Sequence, residues 1–278
     1  MITLIIIELE KIFRKWRTYI GFIAIGILTP IVQIALSYQG EKYVNFATQS
    51  LRDSFLLTGN LFNGYLVGYL MLQSLFIHIP FLIVLVGGDL LAGEATTGTY
   101  RLLLTRPISR LKILSAKYFA GIIYTVLLLC FLMFMSLVVS VIFFGSGELI
   151  VVKGKIIIFA SDDVLWRFAL AYLYAALSLT TVMGLSFLFS SLVENAIGPI
   201  VASMAVIIVF LILSVLPFDL LESIRPFLFT NHMNHWSSFF ADKVEYSEIL
   251  ISGSVLLLHI IGFYLIALFL FIKKDILS

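Results

Sequence analysis

Six long apolar runs constrain the fold of this chain more than any other feature of its sequence. A helix that crosses a hydrocarbon core of about 30 Å needs about 20 consecutive, mostly apolar residues. Hydrophobic residues make up 61% of the 278 positions and charged residues only 12%, which is about half of the charged share in soluble domains. The sequence therefore predicts an all-α integral membrane protein with a single transmembrane domain over residues 1–278. The six predicted spans are 18–38, 65–88, 117–144, 165–189, 197–217 and 248–272.

The distribution of basic residues predicts which side of the membrane each polar segment faces. Cytoplasmic segments of membrane proteins carry an excess of Lys and Arg. If the N-terminus is inside, the inner segments hold 11 of the 18 basic residues and the outer segments hold seven. We therefore expect a multi-pass protein of the cytoplasmic membrane with both termini in the cytoplasm. The outer segments 39–64, 145–164 and 218–247 are predicted to be moderate loops rather than folded ectodomains.

The last outer segment is rich in aromatic residues, and two interpretations of it stay open. One is that it dips back into the membrane as short half-helices packed against protein. The other is that it forms an aromatic belt at the membrane surface. The residues concerned are Phe218, Phe227, Phe229, Trp236, Phe239 and Phe240.

Residues 1–17 are predicted to form an amphipathic helix. Apolar residues recur at steps of three and four positions, and charged residues occupy other faces of the helix. These apolar residues are Ile2, Ile5, Leu9, Ile12 and Trp16. We expect the helix to lie in the membrane interface, because its charges are too dense to enter hydrocarbon. The alternative is that it extends the first span as one straight helix.

A polar, basic segment joins the second and third predicted spans at residues 87–117. It reads GGDLLAGEATTGTYRLLLTRPISRLKILSAK. Asp89 and Glu94 open a polar helical stretch, and Pro107 ends it because proline cannot continue a helix. Ser109 is predicted to cap the helix that leads into the third span. The leucines between the two ends form a small apolar knob flanked by arginines, which suits a hydrophobic groove with a charged rim.

This segment resembles the signature of type-2 ABC exporter permeases. The matching positions run from an acidic pair to the lysine that enters the third span: Asp89, Glu94, Gly98, Thr99, Leu103, Leu104, Arg106, Pro107, Ser109, Arg110 and Lys117. The six-span layout, the N-terminal amphipathic segment and the short gap at 190–195 fit the same superfamily. The chain is most similar to the six-span permeases of copper-processing and gliding-motility systems.

The resemblance implies a permease subunit that is not itself an enzyme. Two copies, or this chain and a sister permease, would pair in the membrane above two copies of a separate ABC ATPase. A helix at 94–106 would be the coupling helix, seated in a groove of the ATPase, with Arg101 among its contact residues. The sequence contains no G-x-x-x-x-G-K-[ST] phosphate loop, so we expect the partner to bind ATP and Mg²⁺. No cofactor and no nucleic-acid partner is expected for this chain.

Glu94 is the residue that we expect to contribute most to coupling. It would pair with Arg101, with Arg106 or with a basic residue on the ATPase. The alternative is an ordinary solvated charge near the start of a helix, where the helix dipole favours a carboxylate.

His78 and His259 fall within the second and sixth predicted spans, where ionisable residues are rare. They would line a translocation pathway or relay protons; the alternative is a pair of neutral imidazoles, each bonded to a neighbouring helix. His232 and His235 have the spacing of a helical metal pair, but no complete ligand set accompanies them. We therefore predict no metal site.

Two other classes of membrane protein are weighed against the ABC permease. A secondary transporter or channel driven by an ion gradient would carry charges deep in several spans and often an internal repeat. A membrane enzyme would bring catalytic side chains together at one depth. The sequence shows neither pattern. The weakly charged spans favour a lipid, an amphipathic peptide or a hydrophobic compound as the substrate, and homodimer and heterodimer stay open.

Overall fold

A computed structural model describes residues 1–47, 49, 61–98, 108–153 and 155–273. Among these residues, six helical stretches are long and apolar enough to cross a membrane, the number that the sequence predicts. They are Trp16–Phe46, Ile79–Thr96, Arg110–Phe144, Ser161–Leu192, Ile197–Val215 and Tyr246–Lys273. These stretches indicate a multi-pass, predominantly helical membrane protein.

The helices are numbered here in chain order. The first half of the chain forms α1 (Ile2–Arg14), α2 (Trp16–Ala47), α3 (Gly64–Phe76), α4 (Ile79–Gly87), α5 (Asp89–Thr96), α6 (Arg110–Met133) and, after a π-helical turn at Phe134–Val138, α7 (Val139–Phe144). The second half forms α8 (Ser161–Leu192), α9 (Ile197–Val215), α10 (Asp219–Glu222), α11 (Phe229–Met233) and α12 (Tyr246–Lys273). Short 3-10 helices lie at Arg225–Phe227 and Asn234–Phe240. The central helix is α8, which packs against α4, α6, α9 and most extensively α12.

The prediction of one continuous helix over the second span, 65–88, is wrong. The chain turns after Phe76, and α4 begins at Ile79 with Pro80 in its first turn. Proline is tolerated there because the first N–H groups of a helix have no partner within the helix. The apolar stretch long enough to cross a membrane is therefore α4 together with α5.

Two glycines let α3 pack directly on the backbone of the third apolar stretch. A methyl group added at Gly64 would lie 2.4 Å from Cα of Val141, and one at Gly68 would lie 3.1 Å from the carbonyl oxygen of Ser136. Small residues spaced four apart permit this close approach between helices in membranes. The first half of the predicted second span is thereby held against α7.

A β-hairpin is the main departure from the all-α prediction. Strand β1 (Leu149–Lys153) pairs antiparallel with β2 (Lys155–Phe159), and Leu149 faces Phe159 across the pair. Both strands are rich in Ile and Val, which favour extended backbone. Leu149 and Val151 are fully buried. Within the segment 145–164, which was predicted to be a loop, residues 149–153 and 155–159 therefore form paired strands.

The aromatic segment after α9 forms short helices that pack against α8 and α12, and their re-entry into the membrane stays a prediction. Phe229, Trp236, Phe239 and Phe240 are buried, whereas Phe218 and Phe227 are exposed. The guanidinium of Arg167 on α8 donates hydrogen bonds to the carbonyl oxygens of Phe239 (2.7 Å) and Ala241 (3.0 Å). Lys153 of the hairpin donates one to the Ser237 hydroxyl at 2.8 Å. Hairpin and short helices therefore form one cap, here called the hairpin end.

The predicted inner segments meet at the opposite end of the bundle. The Thr96 hydroxyl lies 3.0 Å from the carbonyl oxygen of Glu194, between α8 and α9. Arg110 donates a hydrogen bond of 2.8 Å to the carbonyl oxygen of Ile272 near the end of α12. With α1 packed against α6, this end contains α1, α5, the start of α6, the 193–196 turn and the end of α12. We call it the charged end.

We predict that acid weakens the hairpin end through His235. Burial is the largest cause that lowers the His235 pKa below its ordinary value of 6.5, and the charges of His232 and Lys153 also lower it. The hydrogen bond to the His232 carbonyl and the charge of Glu248 raise the pKa, but they do not outweigh the other causes. The stability gained from a neutral His235 is then present above pH 6.5 and is lost as the pH falls through the lowered pKa. The melting temperature should fall below pH 6.5, and less in His235→Gln.

The matched control for this prediction is His78→Gln, which removes an exposed histidine that is not part of the hairpin end. Thermal unfolding in detergent at several pH values gives the comparison. An acid-induced loss of the same size in wild type and in His235→Gln would contradict the assignment.

Candidate functional site

Four ionised side chains form a closed ring at the charged end. Lys117 Nζ lies 2.7 Å from Glu8 Oε2 and 2.8 Å from Glu94 Oε1. Lys11 Nζ contacts the same two carboxylates, at 2.8 Å from Glu8 Oε1 and 3.0 Å from Glu94 Oε1. Each cation therefore contacts both anions, and the four charges sum to zero. This charge ring joins α1, α5 and α6.

The charge ring is largely shielded from solvent. The Lys117 side chain is 2% exposed and the Glu94 side chain is 10% exposed, while Lys11 forms the more open side at 39%. Burial is the largest single cause acting on the Lys11 pKa, and it lowers that pKa. The hydrogen bonds and charges of Glu8 and Glu94 together outweigh burial, so the Lys11 pKa is raised above its ordinary value of 10.5. Charges that leave water are stable only when partners of opposite sign surround them. Each member of the ring therefore depends on the others.

The sequence of α1 explains how two ring members reach this position. Residues three apart lie on one face of a helix, so Glu8 and Lys11 point the same way. Ile12, the next residue, is also buried, and α1 packs against α6. Ser109 starts α6, because its hydroxyl accepts a hydrogen bond from the backbone N–H of Lys112 at 3.4 Å. Lys117 then lies two turns into α6, opposite α1.

A second group of charges lies at the junction of α1 and α2. The backbone of Lys15 is extended, with φ −89° and ψ 132°, so α1 ends there and α2 starts in a new direction. Lys15 Nζ lies 2.7 Å from Asp89 Oδ2, and Arg17 Nη1 lies 3.1 Å from Asp89 Oδ1. We call these three residues the elbow triad. The extended Lys15 excludes the straight continuation of the first span.

Glycine at position 93 allows the elbow triad to close over α5. A methyl group added there would lie 2.5 Å from Asp89 Oδ1 and 3.0 Å from Lys15 Nζ. Both distances are shorter than ordinary contacts, so any larger residue would push the carboxylate and the ammonium aside. Gly93 thus leaves room for the elbow triad, while its neighbour Glu94 belongs to the charge ring.

Helix α5 is also fastened to the junction of α8 and α9. The Ser190 hydroxyl accepts hydrogen bonds from the backbone N–H groups of Leu91 (3.0 Å) and Ala92 (2.9 Å) and donates one to the carbonyl oxygen of Gly88 (2.6 Å). Its position satisfies N–H groups in the first turn of α5, which have no partner within the helix. Through these contacts and the charge ring, α5 is linked to α1, α6 and α8.

A sequence family described as "Protein of unknown function (DUF2705)" matches residues 22–277. The chain belongs to the DUF2705 family. It is also similar to "Uncharacterized protein YhcI" of Bacillus subtilis (strain 168), with 30% identity over 120 residues. That match covers 41% of this chain and 37% of YhcI. Neither description assigns an activity.

The structure describes several residues of the segment that was predicted to couple this chain to an ATPase. Asp89 and Glu94 anchor the elbow triad and the charge ring, Ser109 caps α6 as predicted, and Arg110 contacts the end of α12. Six predicted residues lie outside the described part of the chain: Thr99, Arg101, Leu103, Leu104, Arg106 and Pro107.

A single coupling helix over 94–106 is wrong. Helix α5 begins at Asp89 and ends at Thr96. The Thr97 hydroxyl bonds back to the carbonyl oxygen of Gly93 at 3.0 Å, and Gly98 has φ 68°, in the left-handed region that glycine adopts readily after a helix. Glu94 is therefore in the last turns of a helix and buried, rather than a solvated charge at a helix start. Its pairing with Arg101 or Arg106 involves residues outside the described ranges.

Sequence reasoning missed four residues of the site. Glu8, Lys11, Lys15 and Arg17 were not singled out, because the charges of residues 1–17 were expected only to keep the N-terminal helix in the membrane interface. One signal pointed to them: Lys117 lies at the edge of a long apolar run, and a lysine in such a place needs acidic partners. The spacing of Glu8 and Lys11 would have supplied one partner on the nearest amphipathic helix.

The two histidines of the predicted pathway lie in different segments, one in a turn and one on a helix. His78 is exposed at the turn before α4, and its Nδ1 lies 3.0 Å from the carbonyl oxygen of Ser74. His259 on α12 lies with Nδ1 2.8 Å from the carbonyl oxygen of Val255, one turn earlier. Among the residues that the structure describes, each ring is hydrogen-bonded within its own segment rather than to a neighbouring helix. Their part in a pathway stays a prediction.

The histidines of the hairpin end have protein partners. His232 Nδ1 lies 3.1 Å from the Ser252 hydroxyl, and its Nε2 lies 2.8 Å from the carbonyl oxygen of Pro226. Asp242 pairs with Lys155 at 3.3 Å. Among the described residues, no three His, Cys, Asp or Glu side chains are grouped as metal ligands would be.

We predict that Lys117→Gln strongly destabilises the protein. It leaves Glu8 and Glu94 buried with Lys11 alone, and breaking a buried ion pair in this way costs about 3–5 kcal/mol. Adding Glu8→Gln should recover part of the loss, because Lys11 and Glu94 then balance each other. Thermal and denaturant unfolding of the detergent-solubilised protein measures both effects.

Lys112→Gln is the matched control, since Lys112 is exposed on the same helix. Its effect should stay within about 0.5 kcal/mol, as is usual for surface changes. Equal stabilities of Lys117→Gln and Lys112→Gln would show that the charge ring does not form.

Proposed function

We propose that this chain is the membrane-spanning permease subunit of an ABC exporter. In this proposal, α5 and the basic segment that follows it receive movement from a separate ABC ATPase, two copies of which bind below a pair of permeases. The signature-like residues between Asp89 and Lys117 supply the resemblance to type-2 permeases. The fastening of α5 at the charged end is the structural observation that carries the proposal.

That fastening makes α5 suited to pass on a displacement. A push on α5 acts on α1 and α6 through the charge ring and on α8 through Ser190. It also acts on α4, which leads directly into α5 at Gly88. Coupling between distant sites requires such a contiguous set of contacts. A displacement of one short helix would therefore tilt several spans together.

The finer topology belongs to the same proposal. The charged end would face the cytoplasm, because it collects the inner segments with their excess of Lys and Arg. Helix α1 would lie along the membrane interface, with Ile2 and Ile6 on its exposed side, at 76% and 50% exposure. The hairpin end would then face outward. The basic segment after α5 would meet an acidic rim on the ATPase.

The division of labour follows from the same reasoning. ATP and Mg²⁺ would be bound by the partner, and this chain would convert closure of the ATPases into movement of its spans. Lipids, amphipathic peptides and hydrophobic compounds are the substrates that suit the apolar exterior of α2, α9 and α12. A secondary transporter is the alternative, but the charge ring lies beside the ends of the spans rather than midway along them.

We predict that Glu94→Gln destabilises the permease as Lys117→Gln does, and that it uncouples the ATPase even at temperatures below its lowered melting point, where the complex stays assembled. The amide keeps the shape of the side chain but weakens its bonds to Lys11 and Lys117. The test is co-expression with candidate ABC ATPases from the same genome, followed by ATPase and transport assays in proteoliposomes with the ATPase that binds. Wild-type permease should stimulate hydrolysis, and Glu94→Gln should lose the stimulation. Wild-type coupling in the variant would count against the role of Glu94.

Charge reversal in the basic segment tests partner binding separately. The double change Arg101→Glu and Arg106→Glu should weaken the complex tenfold or more, because a lost interfacial charge pair costs about 2–5 kcal/mol. Lys155→Glu at the hairpin end is the matched control and should bind normally. Transport by the purified chain alone, driven by an ion gradient without ATP, would refute the proposed function and favour the alternative.

A further inference from the structure

The elbow triad differs from the charge ring in one respect: its charges do not cancel. Asp89 supplies one negative charge against the two positive charges of Lys15 and Arg17. Arg14, the adjacent residue, is exposed and has no ion pair within the described residues. Glu10, an exposed acid on α1, likewise has no ion pair within those residues. An excess of positive charge therefore remains at the elbow, next to a neighbouring cluster that is balanced.

The cations of the elbow triad carry more hydrogen-bond donors than their contacts with Asp89 use. The Lys15 and Arg17 side chains are 45% and 43% exposed. An ammonium carries three N–H donors and a guanidinium five, and in the described part of the chain each cation makes one ion pair, to Asp89. A cavity of about 10 Å³ is room for about one oxygen atom. It is lined by four polar residues, Lys15, Arg17, Thr18 and Asp89, and by four apolar ones, Ile12, Leu85, Val86 and Leu90.

The position of the elbow fixes the kind of anion that reaches it. Trp16, 72% exposed, starts α2, the first of the membrane-spanning stretches. Tryptophan at the end of a span marks the level of the lipid headgroups. The phosphate groups of lipids lie at this level, and Arg and Lys are the side chains that bind phosphate.

We propose that the elbow triad binds the phosphate of an anionic phospholipid. One phosphodiester would bring the charge of Asp89, Lys15 and Arg17 to zero. A phosphate oxygen would occupy the small cavity, and the acyl chains would lie along the exposed side of α2. This inference goes beyond the proposed function and stands without it, because it requires only that α2 crosses a membrane.

The test is binding of short-chain phosphatidylglycerol to the full chain in neutral detergent, measured by native mass spectrometry. Phosphatidylcholine of the same chain length should bind more weakly, because its headgroup has no net charge. Each basic residue near a membrane surface contributes about fivefold to anionic lipid binding. Lys15→Gln with Arg17→Gln should therefore weaken binding about 25-fold, whereas Lys155→Gln at the hairpin end should leave it unchanged.

Two further variants keep the test independent of folding. Arg17→Lys should retain most of the binding. Asp89→Asn removes the anion that competes for both cations, so it should strengthen binding about fivefold; a misfolded protein would not show such a gain. Equal binding in wild type and the double variant, equal affinity for the two lipids, or no gain in Asp89→Asn would overturn the proposal.

Inorganic phosphate distinguishes the lipid from a soluble source of the same group. Added as a competitor in the same titration, it should fail to displace phosphatidylglycerol, because the acyl chains add contacts that the free ion lacks. Displacement at comparable concentrations would assign the elbow to a soluble phosphate and overturn the lipid assignment.

Discussion

The closed ring of Glu8, Lys11, Glu94 and Lys117 is the interaction on which the charged end depends. Removing an ion from water costs several kcal/mol, and only close partners of opposite sign offset that cost. Each lysine contacts both carboxylates at 2.7–3.0 Å, so none of the four can move far without exposing another. The relative positions of α1, α5 and α6 are thereby fixed.

This constraint gives the short helix α5 an unusual place in the protein. It forms the second half of a stretch long enough to cross a membrane, yet the contacts that hold it come from four other helices, α1, α2, α6 and α8. The charge ring holds its second half, the elbow triad holds its first turn, and Ser190 satisfies its free backbone groups. The helix ends at Thr96, and Gly98, with φ 68°, precedes the basic segment in the sequence. A partner that binds that segment would act on the whole charged end.

The sequence predicts the parts of this fold that the membrane dictates. Span number and approximate position follow from the length of apolar runs, because the thickness of the bilayer sets that length. The cap at Ser109 is also predictable, because it depends only on neighbouring residues. The break before α4 and the hairpin are decided by packing instead. The charge ring joins Glu8 to Lys117 across 109 positions, and no local pattern shows which distant lysine meets which acid.

A distance measurement between spin labels tests most directly whether α1, α5 and α6 move as one body. Labels at Glu10 on α1 and Lys112 on α6 report on the unit itself, and labels at Glu10 and Val215 report on its movement relative to the far end of α9; all three positions are exposed. In the complete assembly with its ATPase, ATP should change the second distance and leave the first unchanged. A change in the distance between Glu10 and Lys112 would contradict the account.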